Sequence, residues 1–260
     1  MLPVRRSTST EPNPAFVEVP PARGSNLAWL QESAAAGDSL GRSGDVLLLG
    51  GSGLADFRIR VAQSQLRHDM TPSYWSQVAV IDEDHVYTAP LWPLDPPDIV
   101  PSRNGIRRLP IADFVGARAW PNIAVVRFPG AQEDVVECIR RLETQRSIVD
   151  LPAVVLAWLG YCWGTGTVGN PLFAGIGLPG AVLVETAFGI AEVELTPGLA
   201  AASSCPEAIY QSAKWWHEFY EQAAGEANAE APANAQATDN RPVGRYTLRS
   251  RIAAYREPTG

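Results

Sequence analysis

From Leu151 to Val184 the chain carries no charged side chain. A stretch of that length has three possible fates: it crosses a lipid bilayer, it is buried, or it lies over a core as an apolar flap. The sequence reads "LPAVVLAWLGYCWGTGTVGNPLFAGIGLPGAVLV". Its glycines and prolines divide it into short pieces, and none is a continuous apolar helix. Backbone broken inside hydrocarbon would leave polar groups unpaired, so buried core plus a hydrophobic flap is the expected arrangement. A lipid-facing surface is the alternative. The rest of the chain supplies a partner for such a core, since 46% of the 260 residues are hydrophobic and 19% are charged. That is enough for one sizeable core with tails.

The folded part is expected to begin at "SGDVLLLGG", where Val46–Leu49 is a short apolar run between a Gly-Asp turn and a Gly-Gly pair, hence a buried strand. "GLADFRIRVAQSQLRHD" has helical spacing, with Leu54, Phe57, Val61 and Leu66 on or near one face, which is expected to be its inner one. "YWSQVAVID" and "DHVYTAPL" read as two strands joined at the acidic turn 82–84. After a proline-rich loop come a strand, a short helix around Ile111–Val115 and a strand at Ile123–Phe128. "AQEDVVECIRRLETQRSIV" is an amphipathic helix, acidic early and basic late as the helix dipole favours. A last helix is expected over about Pro206–Ala224. Residues 1–40 are rich in Pro, Ser, Ala and Gly and read as a flexible N-terminal segment, with a helical turn at "NLAWLQESAA" docking through Trp29 and Leu30. Residues 225–240 read as a low-complexity linker. Residues 241–260 hold five arginines and one glutamate and read as a basic C-terminal peptide. This is either a solvated tail or a docking peptide for an acidic protein partner, with Tyr246, Leu248, Ile252 and Tyr255 as anchors.

The net charge of −7 gives no reason to expect nucleic-acid binding. Three cysteines, Cys138, Cys162 and Cys205, are too few for a disulfide framework. There is no CxxC, and the three histidines are scattered, so neither a metal site nor a cofactor is expected. "MLPVRRSTSTEPNPAF" has no apolar secretory region after its arginines, and a cytoplasmic location with reduced thiols is the expectation.

One cysteine stands apart. In "SSCPEAIYQSAKWWHEF", Pro206 suits the first position of a helix, where its missing N–H is no loss, and Cys205 then falls at the N-cap. The positive end of the helix dipole favours a thiolate there and is expected to lower its pKa. The alternative is a small buried side chain, which is how Cys138 and Cys162 are read.

The order of elements resembles the circularly permuted branch of the NlpC/P60 papain-like superfamily, which includes YiiX-like hydrolases and lecithin retinol acyltransferase-like enzymes. In that family "GD" opens the first strand, matched by Gly44-Asp45. A catalytic histidine lies in a motif like "WSHVGI", matched by Trp75 to Val80, and a polar partner lies on the next strand, near Thr88. The nucleophile lies late, in a motif like "YCSELV", matched by Ser204 to Ile209. The resemblance covers about residues 41–222. It implies an α+β fold, a small antiparallel sheet packed against helices over 41–224. It also implies acyl chemistry on an amide, ester or thioester through Cys205, with a small-molecule, lipid or peptide acyl substrate. At the histidine position this chain has Gln77, whose amide neither takes nor gives a proton in the useful range. Three readings stand: a catalytically inactive binding or adaptor protein; an active hydrolase or acyltransferase with a relocated base, His68 oriented by Asp69; and a glutamine put in place of a natural histidine.

Overall fold

The computed structural model describes residues 16–19, 25–35, 40–91, 105–116, 120–130, 132–145, 151–164, 169–227 and 241–251. Its centre is β2 (Val46–Gly50), an all-apolar strand with every position buried. Strand side chains alternate, so a strand without a polar face needs cover on both sides. Val46 and Leu48 enter one apolar cluster, and Leu47 and Leu49 enter the other.

The sheet has seven strands in the order β1-β7-β6-β2-β3-β4-β5. β3 (Gln77–Asp82) and β6 (Asn122–Arg127) flank β2, both antiparallel to it. β3 leads into β4 (His85–Thr88) through a turn at Glu83-Asp84, with Glu83 at φ 55° as a tight hairpin turn requires. β5 (Arg107–Pro110) closes that end. On one face lie α2 (Leu54–Ala62), α4 (Gln132–Thr144), α5 (Leu151–Trp158), α6 (Pro179–Ile190) and α7 (Pro206–Ala227). On the other, α1 (Asn26–Ala35) and α3 (Ile111–Gly116) bring Trp29, Leu30, Phe114 and Val115.

The α+β class holds, and two expectations are corrected. The sheet is neither small nor wholly antiparallel, and its far end is built from both chain termini. β7 (Val243–Leu248) pairs antiparallel with β6, and β1 (Val17–Glu18) pairs parallel with β7. The stretch read as the start of a free basic peptide is thus a strand of the sheet, with Tyr246 set edge-on against Tyr210. Part of the segment read as flexible is docked as well: Phe16 lies against Gly244, where a Cβ would come within 2.8 Å of its ring. Ile252, Tyr255 and most of the low-complexity stretch lie outside the described residues. Among the described residues no helix is long and apolar enough to cross a membrane.

Gly44-Asp45 has a local structural role. Gly44 has φ +85°, and a Cβ there would stand 2.1 Å from the Gln132 Cβ. The fully buried Asp45 carboxylate takes N–H groups from Gly41 (2.7 Å) and Arg42 (3.0 Å), and two from the Arg127 guanidinium at 2.7 Å each. The turn is thereby stapled to β6.

Candidate functional site

Cys205 is the N-cap of α7. Its carbonyl accepts from the Ile209 N–H at 3.2 Å, the first bond of the helix. The backbone N–H groups of Ala208 and Glu207, at the start of the helix, favour the thiolate. This much follows from Pro206, which starts the helix.

The expectation of an acidic thiol is overturned. Cys205 is completely buried, and burial pushes the thiol up to about 12; the nearby Glu207 and Glu185 carboxylates push the same way. The pull of the helix-start N–H groups toward the thiolate loses to desolvation. At pH 7 the thiol is therefore held protonated.

The two carboxylates are each held in place. Glu207 is fully buried on the first turn of α7. It accepts from the Ser73 hydroxyl (2.6 Å), the Gln211 amide (2.6 Å) and Arg67 (3.4 Å). Its own backbone N–H donates to Gln63 Oε1 at 2.9 Å. Glu185 on α6 accepts from Thr196 (2.6 Å) and from Ser204, the residue before the thiol (3.1 Å). Burial holds the Glu185 carboxyl above its ordinary range.

Gln63 and Ser73 belong to a polar cluster that hydrophobic spacing concealed. The face of α2 turned inward is Asp56, Ile59 and Arg60, continued by Gln63, a helical i, i+3, i+4, i+7 stripe. Leu54, Val61 and Leu66, expected inside, are exposed. Arg60 is 1% exposed and donates to the carbonyls of Ser73 (2.6 Å) and Gly51 (3.1 Å). Ser76 donates to Asp56 at 2.8 Å, and Gln63 bonds the carbonyls of Ile59 and Trp75. The signal for this inversion was in the sequence: one face of the same helix carries Asp56, Arg60 and Gln63 at helical spacing.

The other expected site residues fall as follows. Gln77 stands opposite Leu49 in the β2–β3 ladder and alternates with Ala79 and Ile81. Those residues belong to the cluster covered by α1 and α3, whereas Cys205 belongs to the opposite cluster with Val78 and Val80. Alternation sets position 77 in line with Ala79 and Ile81, although Gln77, at the start of the strand, also borders residues of the thiol's layer. Gln77 is buried and its Nε2 has no hydrogen-bond partner. Gln77 and Pro206 both border a hollow of about 10 Å³, room for about one water. Thr88 is fully buried, and its hydroxyl donates to the Val78 carbonyl at 2.8 Å, tying β4 to β3. His68 is exposed in a turn. Asp69 does not orient it: Arg67 and Thr71 bond that carboxylate and hold it below its usual range. His85 meets Asp84 at the hairpin. His217 pairs through Nδ1 with the Pro242 carbonyl at 2.8 Å, about 18 Å along the helix from Cys205.

The uncharged segment divides between core and surface, as a flap would. α5 runs into a π-turn, Leu159–Trp163, and a 3-10 turn at Pro171–Ala174 follows. Val154, Ala157, Tyr161 and Cys162 face inward, while Leu156 is 64% exposed and Phe173 68%. Gly160 lies one turn beyond Leu156, with the Pro171 ring packed over it. The turn that carries Phe173 therefore lies against the same side. α2 adjoins this hairpin: Arg58 bonds the Cys162 carbonyl, and Asn170 donates to the Ala62 carbonyl at 2.8 Å. On α2 the exposed Leu54 and Val61 flank the exposed Arg58, and this face adjoins the hairpin through the bond from Arg58 to the Cys162 carbonyl.

Among the described residues no group of three His, Cys, Asp or Glu gathers as metal ligands would. The chain matches no family model, no curated protein and no solved structure.

Proposed function

We propose that this chain is a binding protein built on a permuted papain-like plan, whose cysteine caps a helix and performs no chemistry. The observation that carries this reading is the state of Cys205: enclosed, protonated, and set between two buried carboxylates. A nucleophile needs a thiolate and a base that takes its proton. His68 lies in an exposed turn, His85 opens β4 beside Asp84, and His217 lies about three turns along α7, while position 77 holds an amide that takes no proton. The hollow beside Pro206 holds about one water, far below what an acyl substrate needs.

The binding surface is the apolar hairpin with α2, and its ligand class is an uncharged acyl chain or amphiphile. The absence of charge from Leu151 to Val184, with Leu156, Phe173 and Ile176 outward, supports this choice.

The test has two arms. Site-resolved alkylation by iodoacetamide at pH 7.5 is expected to leave Cys205 unmodified in the native protein and to modify it in urea, with Gln77→His behaving alike. Rapid native alkylation of either protein overturns the non-catalytic reading. Sedimentation with dodecyl maltoside micelles is expected to show association that Leu156→Ser/Phe173→Ser abolishes. No association, or association indifferent to that change, removes the apolar surface as the binding site.

A further inference from the structure

Away from the cysteine, a groove of about 360 Å³ opens between the end of β6, the turn after α6 and the middle of α7. That is within the size range of small-ligand sites. One wall is aromatic. Trp216 and Tyr220, one helical turn apart, stack with centroids 5.5 Å apart and planes 22° apart, and Phe128 adds a third ring. The stack fixes the ring planes before any ligand arrives. The facing wall is acidic: Glu192 and Glu194 both border the groove and are exposed, and among the described residues no lysine or arginine lines it.

The placement of Glu192 is unusual. α6 ends in a Schellman motif, with the Val193 N–H on the Phe188 carbonyl (2.9 Å) and the Glu192 N–H on the Gly189 carbonyl (3.2 Å). The position that glycine ordinarily fills in this motif, at positive φ, is held here by Glu192 at φ 60°. A residue with a Cβ is strained there. Val193 is pinned from below by Gly130, where a Cβ would come within 2.8 Å of its side chain. The turn therefore brings Glu192 and Glu194 to the border of the groove at a conformational cost, with the Glu194 carboxylate also accepting from the Gly198 N–H at 3.3 Å.

We propose that this groove binds an alkylammonium group, taken against the Trp216–Tyr220 wall by its cation–π attraction and against Glu192 and Glu194 by charge. Aromatic faces attract such cations while accommodating their methyl groups, and carboxylates select them over neutral isosteres. The groove does not depend on the apolar hairpin, so either proposal can fail alone.

The test uses the full chain and the Trp216 indole N–H resonance, assigned by its loss in Trp216→Phe. Choline is titrated beside 3,3-dimethyl-1-butanol, its uncharged isostere. Saturable shifts with choline are expected, roughly tenfold weaker with the alcohol. Glu192→Gln/Glu194→Gln, which lies on the surface and keeps the melting temperature, is expected to weaken choline by a similar factor. A titration with Nα-acetyl-trimethyllysine amide then separates the sources: tighter binding than choline marks a partner protein's side chain, weaker binding a free ligand. No shift up to tens of millimolar of either cation overturns the proposal. So does equal affinity for the alcohol, or indifference to the double substitution.

Discussion

Two helices on the same face of the sheet are oriented in opposite senses. α4 buries Val135, Val136, Ile139 and Leu142 and turns its acids and Arg141 to water, with Arg140 reaching back to the Asp82 carboxylate at 2.9 Å. α2 buries Asp56, Arg60 and Gln63 and leaves Leu54 and Val61 outside. α4 is held by transfer of apolar surface from water, which is non-directional and tolerant. α2 is held by hydrogen bonds that must all be made together, because a buried polar group without its partner costs more than the bond returned. α2 thereby leaves Leu54 and Val61 exposed on either side of Arg58, next to the segment from Leu151 to Val184 that carries no charge.

The comparison predicts that the polar side is the less forgiving. Glu207→Ala removes a fully buried acceptor shared by Ser73, Gln211 and Arg67 and empties the space its side chain fills. A loss of about 3–5 kcal/mol in urea unfolding is expected. Ile139→Ala in α4 opens a cavity under a fully buried side chain and is expected to cost about 2–4 kcal/mol. If Glu207→Ala proves the milder of the two, α2 is not held by its polar stripe and the contrast fails.

A third expectation concerns pH. Burial raises the Glu185 carboxyl in the folded state, so above its ordinary range the unfolded chain ionises first and folding loses free energy as pH rises. The associated stability is fully present below the unfolded pKa and declines above it. Glu185→Gln keeps an oxygen for Thr196 and Ser204 and does not ionise. It is expected to melt higher than the parent at pH 7, with the gap closing as pH falls toward 4. A gap that widens on acidification would reverse the sign of the argument.

The sheet was largely legible from residues 46–128, because apolar runs bounded by Gly, Asp and Pro name strands whatever packs on them. β7 was not, since "VGRYTL" lies in an arginine-rich stretch whose charge pattern outweighed its alternation; its place between β6 and the two-residue edge strand β1 is what admits it. The orientation of α2 was misread for a physical reason. Spacing shows which face of a helix is apolar, whereas only the partner shows which face is inside, and the partner here is Glu207, far along the chain. The cap position of Cys205 was legible from Pro206. Its protonation was not, because desolvation depends on the residues that close over the sulfur, and Glu185 comes from another helix.

The smallest expected change in stability is also the most discriminating. Leu54→Ser/Val61→Ser alters the outer face of α2, where both side chains are more than 40% exposed. Exposed apolar side chains contribute little to folding, so the urea midpoint is expected to stay within about 0.5 kcal/mol of the parent. Association with dodecyl maltoside micelles is expected to weaken, because these residues add exposed apolar area on the helix that bonds the hairpin through Arg58 and Ala62. Stability lost beyond about 1 kcal/mol would mean that the outer face packs against this chain itself. α2 would then be an ordinary core helix with two buried faces. Stability kept and association lost would separate what holds α2 in the fold from what it presents to a ligand.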